Sequence, residues 1–242
     1  MPEGPSLVIL KEEVKFFEGK KVLVVEGNSK QPIERIQGKK LLEVKTWGKH
    51  FILKFPDFSV RVHFLLFGRA SVNERLLRPP RLSLQFSKGE INFYTCSVQF
   101  IEKPLDEVYD WSADVLSDSW DEKAARKKLK NLPDTFVADA LLDQNIFAGV
   151  GNIIKNEVLY RIKVHPENKV GSLPPAKLTQ LIKEARKYSF DFLEWKKEFT
   201  LKKHWLAHTK KTCSRDGNPL IKKHIGKTNR RTFYCEVCQV RY

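Results

Sequence analysis

The sequence predicts an α+β protein of more than one domain: an antiparallel β-sandwich with a flanking helix, then a helical domain that ends in a small metal-binding hairpin. Three observations predict it. Between Lys20 and about Glu102 the apolar residues recur with strand periodicity and no helical stretch intervenes. From Trp120 to Trp195 the period becomes helical. From Leu201 onward the chain is strongly basic and holds three of its four cysteines. The expected modules are 1–118, 119–200 and 201–242.

Taken in order, Pro5 and Ser6 suit a helix start, and Leu7, Leu10, Val14 and Phe17 fall on one helical stripe that Gly19 ends. The strands expected next are 21–27, 39–47, 50–55, 59–67, 81–86 and 91–101, with turn signals at Pro56-Asp57, Pro79-Pro80 and Lys88-Gly89. Many short strands without crossover helices indicate a sandwich. Helical periodicity then covers 121–132, 135–144, 152–162 and 175–195, with a short glycine-bearing turn, 145–152, joining the middle pair. The sequence has no internal repeat and no low-complexity tract.

Composition narrows the function. The 242 residues carry 44 Lys/Arg against 29 Asp/Glu, a net charge of +15. From Leu201 to Tyr242, 11 Lys/Arg against 2 Asp/Glu leave +9. Concentrated positive charge suits a polyanion, because phosphate contacts release counterions whatever the base sequence. No apolar run is long enough for a transmembrane helix, and MPEGPSLVILKEE lacks the basic region and cleavage site of a signal peptide. Clustered cysteines in such a chain point to metal in a reducing compartment, so a cytoplasmic or nucleoid-associated location is expected, with no membrane partner.

Three stretches carry chemistry. Cys235-Glu-Val-Cys238 is a C-x2-C knuckle, and 21 residues separate it from Cys213. Two knuckles on a hairpin would close a structural, tetrahedral zinc site. The fourth cysteine is missing, and Asp216 stands in its place; His224 and His208 are the substitutes, and a decayed, metal-free hairpin is the alternative. Around Leu142-Asp143-Gln144 and Gly149-Val150-Gly151-Asn152, glycines would let backbone approach a ligand, and the N–H groups opening the next helix form a phosphate cradle that the Asn152 amide extends. Such a turn also merely connects helices in many proteins. Finally, removal of Met1 would expose Pro2 as a secondary amine beside the Glu3 carboxyl; α-amino groups titrate near pH ~8, so a neutral fraction exists at physiological pH. By itself this start reads as a tail.

Taken together, these motifs and their order resemble the formamidopyrimidine-DNA glycosylase/endonuclease VIII family along nearly the whole chain. The matching residues are Pro2-Glu3-Gly4-Pro5, Gly48-Lys49, the H-x4-G stretch His63–Gly68, Leu142-Asp143-Gln144 with Gly149-Val150-Gly151-Asn152, and Arg230-Arg-Thr-Phe-Tyr-Cys235-x2-Cys238-Gln239. The resemblance implies a β-sandwich domain and a helical domain with a helix-two-turn-helix and a zinc finger, with DNA in the cleft between them. It implies a bifunctional DNA glycosylase and abasic-site lyase. Pro2 would be the Schiff-base nucleophile, Glu3 the acid, Lys49 the cation assisting proton transfer, and Arg230 the clamp on a phosphate that Asn152, Gly151 and Gln144 also approach. Leu66 would wedge into the gap left by the flipped nucleotide, with Phe67 stacking beside it, although an apolar trio ending a strand is more commonly core. His63 would face phosphate rather than catalyse. β- and δ-elimination would then cut the strand.

Two departures bear on substrate. Ser6 stands where family members often have glutamate. About fifteen residues join the last long helix to Cys213, leaving no room for the lesion-capping loop of the purine-preferring branch. This points to the endonuclease VIII-like branch, for which oxidised pyrimidines and tolerance of single-stranded or bubble DNA are expected. The expected partner is double-stranded DNA with a damaged base or an abasic site, bound by a monomer holding one structural zinc. A non-catalytic binder of damaged or structured DNA with the same fold is the competing reading. A zinc ribbon binding RNA or protein is a third, and it leaves the first 200 residues without a role.

Overall fold

The structure, a computed structural model, describes residues 2–242. Met1, whose removal the sequence reading requires, lies outside the described residues. Packing divides the chain into two compact units, residues 2–110 and Trp111–Tyr242. Residues 111–118, assigned by sequence to the first module, bond within the second unit. Ala148 N–H donates to Ala113 O at 2.8 Å, and Val115 N–H donates to Ala148 O at 3.2 Å.

In the first unit, α1 spans Gly4–Val14 and runs on into a tighter turn, Lys15–Phe17. Pro5 sits in its first turn, where no intrahelical N–H is needed. Leu7, Val14 and Phe17 are buried, with Leu10 packed at the edge of the same cluster. The strands are β1 (Val24–Glu26), β2 (Glu43–Trp47), β3 (His50–Lys54), β4 (Ser59–His63), β5 (Arg69–Val72), β6 (Leu82–Gln85), β7 (Glu90–Tyr94) and β8 (Ser97–Ile101), followed by the short helix α2 (Leu105–Val108). They form two antiparallel four-stranded sheets, ordered β1-β6-β7-β5 and β2-β3-β4-β8. One apolar core draws Val44, Phe51, Leu53 and Val60 from one sheet and Leu82, Leu84, Ile91 and Phe93 from the other, with α1 against it.

Three strand assignments change. The run 59–67 is strand only to His63, after which the chain turns. The run 91–101, read as one strand, is two: at Thr95 φ is +50°, and the chain leaves one sheet and enters the other. Strand β5 is not among the strands expected, because the alternation of Arg69-Ala70-Ser71-Val72 offers only two apolar positions, one of them an alanine, although both Ala70 and Val72 pack against the core.

In the second unit, α3 (Glu122–Lys130) begins at Asp121, whose carboxylate accepts from Lys123 N and Ala124 N at 2.7 and 3.1 Å. It is followed by α4 (Val137–Ala140), α5 (Asn152–Arg161) and α6 (Pro175–Lys197). The helix expected over 135–144 is thus regular for one turn only, and turns carry the chain from there to α5. Strands β9 (Ile221–Ile225) and β10 (Arg230–Tyr234) form the terminal hairpin. Ile225 and Tyr234 of that hairpin belong to the same core as Val137, Phe147, Ile154, Leu181 and Phe192. Among the described residues, no helix is long and apolar enough to cross a membrane.

Helix α5 is buried along most of its length, polar residues included. Fully buried Glu157 accepts backbone N–H bonds from Leu206, Ala207 and His208 at 2.8–3.0 Å, which fastens the segment leading to the cysteines. Substituting Glu157→Ala strands those buried donors and is expected to cost about 3–5 kcal/mol. Glu157→Gln, which keeps an acceptor oxygen, is expected to lose less. Urea melts of both variants check this; a loss under about 1 kcal/mol for the alanine variant would refute the anchor.

Candidate nucleic-acid and metal sites

In the first unit, Glu3 precedes α1 in extended conformation, and its carbonyl accepts from Ser6 N at 2.8 Å. Its side chain makes no capping bond to the helix, yet the residue is only 2% exposed. The carboxyl is thus held inside the protein at the start of the first helix without capping it. Pro2, half-buried, adjoins it.

Lys49 follows Gly48 in the two-residue turn between paired Trp47 and His50. Gly48 has φ +54°, the left-handed backbone that such hairpins require. Behind the turn lies an aromatic cluster. The His50 ring centroid is 5.5 Å from Trp47, 5.5 Å from His63 and 5.7 Å from Tyr109. Burial, then the charges of Arg61, His63 and Lys49, push the His50 pKa down to about 3, and Nδ1 is buried without a partner. Burial and the cations Lys49 and Arg61 lower His63 as well. Both rings therefore favour the neutral form.

After His63, Phe64 is buried, but Leu65, Leu66 and Phe67 are 46%, 49% and 79% exposed. Gly68 N–H closes the turn onto Phe64 O at 2.7 Å, and a Cβ on Gly68 would lie 2.1 Å from that oxygen. Leu65 adopts φ +51°. The turn thus carries three successive apolar side chains out of the core, and the core reading of the trio does not hold.

In the second unit, Gln144 braces the turn between α4 and α5. Its amide nitrogen donates to Leu142 O at 2.7 Å and Val150 O at 3.2 Å, while its oxygen accepts from Gly149 N at 3.1 Å. These bonds occupy the side chain with shaping the turn. Gly151 caps α5, and Asn152 opens it. The Asn152 amide donates to Arg231 O at 2.8 Å, so the helix start and the first residues of β10, where Arg230 stands, are joined.

Cys213, Asp216, Cys235 and Cys238 bring their ligand atoms within 4.8 Å of one another. Cys213 Sγ lies 3.7 Å from Cys238 Sγ, and Cys235 Sγ lies 3.1 Å from Asp216 Oδ2. Zinc–sulfur bonds of about 2.3 Å in a tetrahedron put sulfurs about 3.8 Å apart, so the donor set fits zinc in kind and spacing. The substitute histidines are engaged elsewhere: His208 Nδ1 bonds the Asn156 amide at 2.9 Å, and His224 Nδ1 bonds Asn229 O at 2.8 Å.

Several residues of these sites have no motif to betray them. Arg215 lies 3.8 Å over the Tyr160 ring and donates to Cys238 Sγ at 2.9 Å and to Tyr160 O. Asp139 and Lys155 hold the hairpin on the helices, through the Lys227–Thr228 backbone and Thr232 respectively. The one signal available was a charged pair, Lys155 and Glu157, inside the apolar run of α5.

Residues 112–197 match the family profile described as the formamidopyrimidine-DNA glycosylase H2TH domain. Endonuclease 8-like 3 of Xenopus laevis is 27% identical over 241 residues, covering 94% of this chain and 39% of that protein. Endonuclease 8-like 2 of Mus musculus is 32% identical over 164 residues, covering 66% of this chain and 48% of that protein. The chain thus spans about two-fifths of the length of the first of these relatives. Among solved structures, Lactococcus lactis formamidopyrimidine DNA glycosylase, non-covalently bound to DNA containing an abasic site, superposes with TM-score 0.86 at 22% identity, covering 99% of this chain and 100% of that one. That likeness shows a shared fold.

The histidine cluster makes a pH prediction. His50 is neutral in the folded protein down to about pH 3, whereas in the unfolded chain it protonates near pH 6.5. Its contribution to stability is present above pH 6.5 and is lost as pH falls from there towards 3. Between pH 7 and pH 5 this amounts to about 2 kcal/mol. In His50→Phe, which keeps the ring packing and removes the titration, that part of the pH dependence should vanish. Denaturant melts at the two pH values decide, and an unaltered slope in the variant would rule out His50 as its source.

Proposed function

The chain belongs to the formamidopyrimidine-DNA glycosylase/endonuclease VIII family, on its endonuclease VIII-like side, and from that premise we propose that it is a DNA-repair glycosylase with abasic-site lyase activity. The observation that carries the reading is the burial of Glu3 next to Pro2, at the approach to α1.

On this reading the damaged nucleotide is taken out of the stack, since base chemistry cannot be done inside the duplex. Leu66 and Phe67, already exposed on their tight turn, fill the gap. With Met1 removed, the Pro2 nitrogen attacks C1′. The glycosidic bond breaks, and the base leaves with a proton from Glu3. The nitrogen gives up its proton, and the C1′–O4′ bond of the sugar then breaks as O4′ takes a proton. The open-chain iminium so formed acidifies the 2′ C–H. Loss of that proton expels the 3′ phosphate, and a second elimination expels the 5′ phosphate. Lys49 supplies fixed positive charge beside these transfers. Asn152 and Arg230 hold a phosphate, the latter through the two-pronged contact a guanidinium allows, on a turn that Gln144 and Gly151 shape. His63 contacts the backbone as a neutral donor.

Oxidised pyrimidines are the proposed lesions, in duplex and also in single-stranded or bubble DNA, with the protein acting as a monomer inside the cell. Cys213, Asp216, Cys235 and Cys238 would hold one zinc, whose role is structural: it closes the hairpin that carries Arg230.

Borohydride reduction in the presence of an abasic or thymine-glycol duplex should give a covalent adduct that mass mapping places on Pro2. If wild-type protein gives none, or Pro2→Gly traps as well, the Pro2 mechanism is wrong and a purely DNA-binding role takes its place. Relative rates on 8-oxoguanine and oxidised-pyrimidine duplexes test the lesion class; faster excision of 8-oxoguanine would overturn the pyrimidine preference.

For the metal, Asp216→Ala should weaken zinc binding by at least roughly 10–100-fold, the range seen when even outer partners of a ligand are lost. Asp216→Cys should retain it. Chelator competition reads the affinity, and unchanged affinity in the alanine variant would remove Asp216 from the ligand set.

A further inference from the structure

Arg230 opens β10, immediately after a turn, where a long side chain has little to fix its base. Four side chains of the second unit fix the surrounding backbone instead. Before Arg230, Asp139 accepts from Lys227 N at 2.9 Å, Thr228 N at 3.3 Å and Thr228 Oγ1 at 3.0 Å. Gly226, at φ +75°, lies so near this carboxylate that a Cβ would stand 2.2 Å from Asp139 Oδ2. After Arg230, Asn152 donates to Arg231 O. One helical turn along from Asn152, Lys155 Nζ donates to Thr232 Oγ1 at 2.7 Å, and Thr232 Oγ1 lies 3.0 Å from Arg230 O.

Lys155 stands out among these. It is 1% exposed, as is Thr232. Taking an ammonium out of water costs several kcal/mol, and an apolar residue of the same volume would serve packing better. The ammonium does what an apolar residue cannot. It has donors only, so the Thr232 hydroxyl must accept from it, and the single hydroxyl proton is then directed to Arg230 O. The peptide that carries Arg230 is thereby held from α5, over a buried positive charge.

Resting on the reading of Arg230 as a phosphate clamp, we infer that Lys155 is a positioning residue for Arg230, acting through Thr232. The relay Lys155–Thr232–Arg230 sets the direction of the guanidinium, and the buried charge adds positive potential beneath the phosphate.

The test uses the intact protein with Lys155→Met, Thr232→Val, Arg230→Gln and their combinations. The readouts are affinity for a duplex bearing a tetrahydrofuran abasic analogue, its salt dependence, strand incision and the thermal midpoint. Lys155→Met should hold its midpoint at or above wild type. Its affinity and incision should fall on the order of 10–100-fold, as displacement of a clamp by about 1 Å would produce. The slope of log K against log salt should shrink by about one in Lys155→Met and in Arg230→Gln alike, because one phosphate contact is lost in each. Adding Lys155→Met to Arg230→Gln should change nothing further. Thr232→Val should reproduce the losses of affinity and incision, with a lower midpoint because the buried Lys155 ammonium loses that acceptor.

If Lys155→Met binds and incises like wild type, or if its effect adds in full to that of Arg230→Gln, the relay is refuted. If its midpoint falls together with every other readout while the salt slope is unchanged, Lys155 is merely structural and the inference also fails. Should Arg230→Gln itself leave affinity and incision intact, the fault lies with the clamp reading and not with the relay alone.

Discussion

The second unit depends on a helix that buries polar side chains and must find each of them a partner. A buried, unpaired polar group costs more than a hydrogen bond returns, so α5 cannot be packed by apolar contact alone. Lys155, Asn156, Glu157 and Tyr160 all take partners from the segment after residue 200: Thr232, His208 with Phe233, the 206–208 backbone, and Cys213 with Ser214. The basic C-terminal stretch is therefore completed by α5, and α5 by it. Composition marks residues 201–242 as a separate module, but in physical terms they finish the helical unit. This is also why the metal group can sit in so short a segment. Its hairpin needs no core of its own, because Ile225 and Tyr234 reach the helical one.

The first unit answers a different constraint. Two twisted sheets with apolar inner faces leave a strand end, a turn or a loop as the only places where side chains leave the core in a row. The functional candidates occupy those places. Lys49 rides a two-residue hairpin, Leu65–Phe67 a turn so tight that Gly68 admits no side chain, and Pro2 with Glu3 the approach to α1.

How much of this was legible in the sequence follows from what each feature consists of. Periodicity located α1, most strands and α6, because burial on one face is written in the residues themselves. It missed the break at Thr95, which is a left-handed backbone angle in an unremarkable apolar run, and it missed β5, whose alternation is only four residues long and rests on one alanine and one valine. The knuckle at Cys235 and Cys238 was legible, and Asp216 was placed by its spacing before Gly217. The exposure of Leu66 and Phe67 was not, since an apolar residue at a strand end looks the same whether buried or bare. Least legible were Asp139, Lys155 and Arg215, whose roles consist of contacts to residues 23–89 positions away. No local pattern encodes such a partner; only the odd lysine among apolar neighbours hinted at one.

Protonation separates the charges that change from those that do not. Near the Lys49 turn, His50 and His63 are driven towards the neutral form by burial and by the cations around them, so the local field at neutral pH comes from Lys49 and Arg61. His208, beside Lys155 and Arg231, is pushed down to about 4 for the same reasons. Each basic face thus keeps its imidazoles out of the titration that solvent would otherwise impose near pH 6.5. Positive charge that does not vary with pH suits the holding of phosphate, whose grip would otherwise weaken as a histidine released its proton. Proton movement is then left, on the proposed reading, to Pro2 and Glu3, an amine and a carboxyl whose ordinary pKa values bracket neutrality. On that reading the labour is divided: groups that bind carry fixed charge, and groups that react carry the exchangeable protons.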